Sequence, residues 1–169
     1  AGPRGGASGG ATLEEGGRGL LPGAACMTFV VCEDGAEYTD RFRRFLGGRF
    51  AFVRAGHFAE ALSLAPGACG LLLDLDFRRT ASALLVDERG ESAGASAAEV
   101  QGILILRALR SHGVQLPALL FADLDDDARA ARLEAELAPL RVVPSSTGLA
   151  QIAQLLREMS NATGKVERI

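Results

Sequence analysis

Lysine is almost missing from this chain. Of its 18 basic residues only Lys165, near the C-terminal end, is a lysine. A mechanism that needs an ammonium group inside a folded core therefore has no residue to use. Cysteine is sparse as well: Cys26, Cys32 and Cys69 are odd in number and widely spaced. That number and spacing give no case for a disulfide framework or a zinc site. Cys32 and Cys69 fall in or beside apolar runs and are predicted to be buried packing residues. Positive charge is not in excess, with a formal net charge of −3. This argues against nucleic acid as a partner, because binding to phosphate backbones needs a basic surface. No apolar run approaches the roughly 18–20 residues of a membrane span. No membrane partner is expected, and a cytoplasmic location is. His57 and His112 are isolated and are predicted to lie on surface turns.

What is present suits one globular domain. The chain has 169 residues, 48% of them hydrophobic and 23% charged, close to the composition of folded domains. Residues 1–26 are rich in glycine and alanine and read as a flexible leader. Residues 27–159 carry strong periodicity, and the polar stretch 160–169 reads as a tail. Short apolar strands are predicted over 27–32, 49–55, 70–76, 117–123 and 140–144. Helices are predicted over 36–47, 57–65, 99–111, 126–137 and 147–159. Strict alternation of strand and helix implies an α/β fold with a parallel sheet covered on both faces. The common five-stranded solution is the flavodoxin-like order 2-1-3-4-5.

One segment breaks the rhythm. Residues 77–98 are too long for an ordinary connection and are expected to be functional or disordered. Residues 83–92 could form a small hairpin turning near Arg89-Gly90, and partial disorder is expected around 88–97. The acidic run Asp123, Asp125, Asp126 and Asp127 lacks the turn glycine and terminal glutamate of a calcium loop. It is predicted to cap the fourth helix.

Sites in open parallel sheets form at the carboxyl ends of the strands. The first strand ends in Glu33-Asp34 and the third in Asp74. In the predicted order these strands are neighbours, so three carboxylates would meet at one rim. Carboxylates sharing a pocket repel, and a hard cation such as Mg2+ relieves that repulsion. Glu33, Asp34 and Asp74 are thus the candidate metal ligands. Two plainer readings stand beside this one. Asp74 could be a solvated acid at a strand end. Glu33 and Asp34 could serve the next helix, whose N-terminus favours negative charge.

These residues resemble the response-regulator receiver (CheY-like) domains over about residues 27–159. The acidic pair Glu33-Asp34 follows the first strand. Leu71-Leu72-Leu73-Asp74 matches the pattern ending in the phospho-acceptor aspartate. Gly102 resembles the glycine that opens the third helix, and Leu116-Pro117 precedes the fourth strand. The resemblance implies that Asp74 is the acceptor position and that Mg2+ is a possible cofactor. Three positions depart from the pattern. Ala122 stands where a threonine or serine would hold the phosphoryl oxygen. Val143 stands where a lysine would, although the following Pro144 remains. Arg141 lies two residues back and about 6–7 Å down the strand. The proline four residues after the acceptor is Arg78.

This is the profile of an atypical, or pseudo-, receiver. The chain is therefore expected to be a stand-alone, non-enzymatic signalling domain of a bacterial two-component-type pathway. It would act by docking a protein partner, a kinase or effector, with impaired or absent phosphorylation control. The expected face is the fourth helix, fifth strand and fifth helix, offering Leu149, Ile152, Leu155 and Leu156, some of which must pack on the sheet, with a homodimer possible across it. The insertion 77–98 could cover the missing switch. The main alternative is a functional response regulator that phosphorylates Asp74 with Mg2+. A haloacid-dehalogenase-like phosphatase is a remote one, suggested by Asp74-Leu75-Asp76 but lacking a suitable lysine. A nucleotide-binding domain lacks support because no glycine-rich loop follows the first strand.

Overall fold

The computed structural model describes residues 26–166, with side chains through residue 163. The expected leader before Cys26 and residues 167–169 lie outside the described residues. Five strands, β1 (Thr28–Cys32), β2 (Ala51–Ala55), β3 (Gly70–Asp74), β4 (Ala118–Phe121) and β5 (Leu140–Val143), alternate with five helices. The helices are α1 (Glu37–Leu46), α2 (Phe58–Leu64), α3 (Gln101–Ser111), α4 (Asp127–Glu136) and α5 (Leu149–Val166). All pairings are parallel, in the order β2-β1-β3-β4-β5. The flavodoxin-like order read from the sequence is the observed one.

The sheet is apolar because both of its faces are covered. Phe29, Val31, Leu72, Leu119 and Phe121 pack on one side against Phe42 of α1 and Ile152 and Leu156 of α5. Val30, Cys32, Leu71, Leu73 and Leu120 pack on the other against α2, α3 and α4. Successive strand residues alternate between these two layers, as the pleat requires. Asp126 caps α4 by accepting from the Ala128 N–H at 2.9 Å, the role expected for the acidic run.

Two expectations are corrected. Residues 88–97, expected to be partly disordered, instead complete a tight turn at Gly90 and enter a short 3-10 helix, Ala95–Val100, while remaining mostly exposed. Val86 and Ser92 form an antiparallel bridge around a turn at Gly90, so the small hairpin is real. Leu85, Val86, Ala97 and Ala98 are buried in the layer under α2 and α3. The Gln101 side chain, 1% exposed, holds the hairpin like an added strand: its Nε2 donates to the Val86 carbonyl at 3.0 Å, and its Oε1 accepts from the Val86 N–H at 2.9 Å. The stretch 160–166 is the continuation of α5 rather than a loose tail. Its polar residues misled because two hydroxyls face the chain's own backbone. Ser160 Oγ donates to the Cys26 carbonyl, and Thr163 Oγ1 donates to the Cys69 carbonyl at 2.9 Å.

Gln101→Leu removes both partners of Val86 and leaves a buried N–H and C=O unpaired, which costs about 1–3 kcal/mol. We expect a loss of about 2 kcal/mol in urea unfolding, with faster hydrogen exchange at the Val86 amide. Unchanged exchange at Val86 would contradict this role.

Candidate functional site at the acidic rim

The carboxyl ends of β1 and β3 are adjacent, with Cys32 in register with Leu73. Glu33, Asp34 and Asp74 therefore reach the same rim, as expected, but their carboxylates do not share one ligand. Glu33 is buried, at 1% exposure, and turns under α1. It accepts from the Tyr38 N–H at 3.1 Å, the Thr39 N–H at 2.7 Å and the Thr39 hydroxyl at 2.7 Å. These are among the unpaired amides at the start of α1, where negative charge is favoured. Of the readings open for Glu33, the structure shows the helix-terminal one.

The nearly covered Asp34 side chain meets an arginine. Both of its oxygens are taken by Arg79: the Arg79 backbone N–H at 3.0 Å and Nε at 3.3 Å on Oδ2, and Nη2 at 3.0 Å on Oδ1. The same guanidinium donates to Glu37 from Nη1 at 2.6 Å and from Nη2 at 3.0 Å. Arg79 holds the Glu37 carboxyl well below the usual carboxylate range, at about 2. Gly35 leaves room for this contact, because a side chain there would collide with the Glu37 carboxylate and the Arg79 guanidinium. From the other side Arg54, at the end of β2, donates to the backbone carbonyls of Glu33 at 3.3 Å, Asp34 at 3.0 Å and Gly35. The acidic loop is thus clamped between two arginines, one on its carbonyls and one on its carboxylates.

Asp74 is the carboxylate left without a cation. Its Oδ1 accepts from the Leu75 N–H at 2.9 Å. Partial burial raises its carboxyl to about 6, against the opposing pull of the Leu75 N–H and with the help of Asp34, Glu33 and Asp76. Gly102 lets α3 approach this strand end, since a Cβ there would overlap the Asp74 carbonyl oxygen. The glycine picked out by resemblance has a steric reason. Asp76 is engaged by Arg78 at 2.9 Å, so Arg78 occupies an ion pair where the pattern has proline.

The expected Mg2+ donor set is not assembled. Glu33 is committed to α1 and Asp34 to Arg79. Among the described residues no group of three or more histidine, cysteine, aspartate or glutamate side chains is placed to hold a metal ion. The guanidinium of Arg79 supplies the positive charge that the carboxylates call for.

The two departing positions lie as expected at the ends of β4 and β5. Ala122 and Val143 are buried and joined by a backbone bond, Ala122 N–H to Val143 carbonyl at 3.0 Å. Neither provides a hydroxyl or a charge. Arg141 pairs with Leu119, two positions further down the sheet, and does not replace the missing lysine. Beyond the pair, the Asp123 carboxylate accepts from the Ser145 N–H at 3.1 Å and from its hydroxyl. This ties the loop after β4 to the loop after β5 at Pro144-Ser145. Tyr38 stacks on Phe121 at 4.9 Å and closes the rim above α1.

Sequence reasoning missed Arg79 and the Asp123–Ser145 tie. The available signal for Arg79 was a cationic pair, Arg78-Arg79, close after an acidic strand end. The expected apolar docking face is also corrected. Ile152, Leu155 and Leu156 are buried and Leu149 packs against the same core, because α5 turns its apolar stripe to the sheet. The outward residues of α4, β5 and α5 are polar or small, including Arg129, Arg132, Arg141, Gln154 and Glu158. A groove of about 640 Å3 opens at the opposite rim, among Pro117, Pro139, Leu140, Leu155 and Met159, far from the acidic end of the strands.

No protein-family model and no curated protein matches the sequence. Solved structures match the fold. The receiver domain of a Clostridium thermocellum response regulator aligns with a TM-score of 0.60 at 11% identity, over 83% of this chain and 98% of that one. The Francisella response regulator 1452 receiver domain aligns at 0.59 and 13% identity, over 81% and 98%. The BeF3-activated receiver domain of Klebsiella pneumoniae RstA aligns at 0.56 and 19% identity, over 78% and 97%. The chain therefore has the CheY-like form of the flavodoxin fold. Among the described residues no helix is long and apolar enough to cross a membrane.

The raised Asp74 carboxyl gives a test with a definite sign. The unfolded chain loses this proton near pH 4 and the folded chain near 6, so the group costs stability as pH rises across that window. The cost is of order 1 kcal/mol after screening by solvent at a half-exposed site. We expect Asp74→Asn to raise the unfolding free energy by about that amount at pH 7–8 and to leave it unchanged at pH 4. Equal effects at both pH values would remove the case for a strained carboxylate.

Proposed function

We propose that the chain is a receiver-fold signalling module of a two-component-type pathway that docks a protein partner without phosphorylation control. It is not an enzyme on this reading. The observation that carries the proposal is Arg79. Its guanidinium fills the acidic pocket with a permanent charge, bidentate on Asp34, where a mobile cation would otherwise be needed. A second feature agrees with it. Ala122 and Val143 cannot contact a phosphoryl group through a hydroxyl or an ammonium, and the Asp123–Ser145 tie joins the two loops in which they lie. Preorganised charge at the acceptor would be worth several kcal/mol of transition-state stabilisation, and these positions do not provide it.

The partner is a kinase or effector protein. The face of α4, β5 and α5 would meet it through polar and charged contacts rather than an apolar patch, and a homodimer across the same face is compatible with its mixed charges. Such contacts favour specificity and association rate over affinity. One observation favours the second reading, a working phospho-receiver: Asp74 is partly exposed and not ion-paired.

An amide NMR titration with Mg2+ and then beryllofluoride, a mimic of aspartyl phosphate, separates the two. We expect no saturable shifts at Ala122 through Ser145 under either addition. Shifts that reach those residues and vanish in Asp74→Asn would establish the phospho-receiver and overturn the proposal.

A further inference from the structure

The acidic rim leaves another cluster unexplained, at the opposite ends of β1 and β3. Cys26, two residues before β1, and Cys69, one residue before β3, belong to the same apolar layer under α1 and α5. Their thiols are neighbours within it. Both backbones are fixed by α5: Ser160 holds the Cys26 carbonyl, and one turn later Thr163 holds the Cys69 carbonyl. The Cys69 N–H and thiol also both donate to the Thr28 carbonyl, at 2.8 and 3.0 Å. Four hydrogen bonds thus converge on two cysteines that are remote in sequence. Cys32 is excluded from the pair, since it points into the other layer, under α2 and α3.

The two thiols differ in access. Cys26 is partly exposed and Cys69 is fully buried. Burial, with the neighbouring Cys26 next, pushes the Cys69 thiol well above the usual range. Cys26 is therefore the group an oxidant meets first; Cys69, closed to solvent, can react only with a group already seated on Cys26.

We propose that Cys26 and Cys69 form a redox-sensitive dithiol site that closes into an intramolecular disulfide when it meets a small disulfide of the glutathione class. The Cys26 thiolate attacks one sulfur of the oxidant. A mixed disulfide forms on Cys26, and the first small thiolate leaves. The Cys69 sulfur then attacks the Cys26 sulfur, forming the internal bond and expelling the second small thiolate. The two cysteine protons end on the two released thiols. The protein pair is oxidised by two electrons and the small disulfide is reduced by two. Closure fixes the chain before β1 to the start of β3, directly beneath the α5 segment from Met159 to Thr163 that walls the apolar groove.

The test uses the whole chain, treated with oxidised glutathione and then quenched by alkylation. We expect free thiols to fall from three to one, with an intact mass lower by two hydrogens and a non-reducing peptide map that joins Cys26 to Cys69. Cys32→Ser should still close. Cys26→Ser should not, and Cys69→Ser should stop at a stable glutathione adduct on Cys26. Oxidation of the native chain should also slow amide exchange at Thr28 and Gly70, and dithiothreitol should reverse this. A Cys26–glutathione adduct that persists in the native chain, or a disulfide that includes Cys32, would overturn the proposal.

Discussion

The crowding of negative charge where β1 and β3 end side by side is the constraint on which the functional end of this molecule depends. Parallel strands in the order β2-β1-β3-β4-β5 bring Glu33, Asp34 and Asp74 to one rim whatever else the sequence does. Three carboxylates in a partly buried place cannot all remain ionised without compensation. Each is handled differently here. Glu33 is satisfied by the first amides of α1, Asp34 by Arg79, and Asp74 by a partial retreat toward its protonated form. The distribution of counter-charge, rather than the fold, is what gives this rim its own character.

Arg79 suits that task for physical reasons. Its planar fork matches the two oxygens of Asp34, which a lysine could not do. It is also tethered, because its backbone N–H binds Asp34 too. The surface part of the interaction, to Glu37, is worth little by itself. The part on Asp34 is shielded, since that side chain is only 6% exposed. The insertion that follows Arg79 is packed into the layer under α2 and α3 through Gly90, Val86 and Gln101. A segment that could have been a loose loop instead holds the arginine in place.

Much of this was legible in the sequence. The alternation of short apolar strands and helices predicts the observed order, and the strand-end carboxylates point to the right rim. Ala122 and Val143 lie where the resemblance puts them. What escaped was contact between segments far apart in the chain. Arg79 lies 45 residues from Asp34, and their meeting depends on how β1 and β3 pair. The hairpin was legible in the run Leu84-Leu85-Val86 and the turn at Gly90, but its partner Gln101 looks like an ordinary polar residue at a helix start. Ser160 and Thr163 were read as tail because their hydroxyls face backbone carbonyls that no sequence pattern reveals.

The central claim is that the Arg79 guanidinium holds the outer carboxylates of the acidic rim, Asp34 and Glu37. The most direct measurement is the carboxyl titration of Glu37 by carbon-detected NMR, in the native chain and in Arg79→Ala. The account requires a native midpoint of about 2, rising toward 4.5 once the guanidinium is removed. A native midpoint already near 4.5, unmoved by the substitution, would mean that Arg79 does not hold the rim and that the pocket is open to another cation.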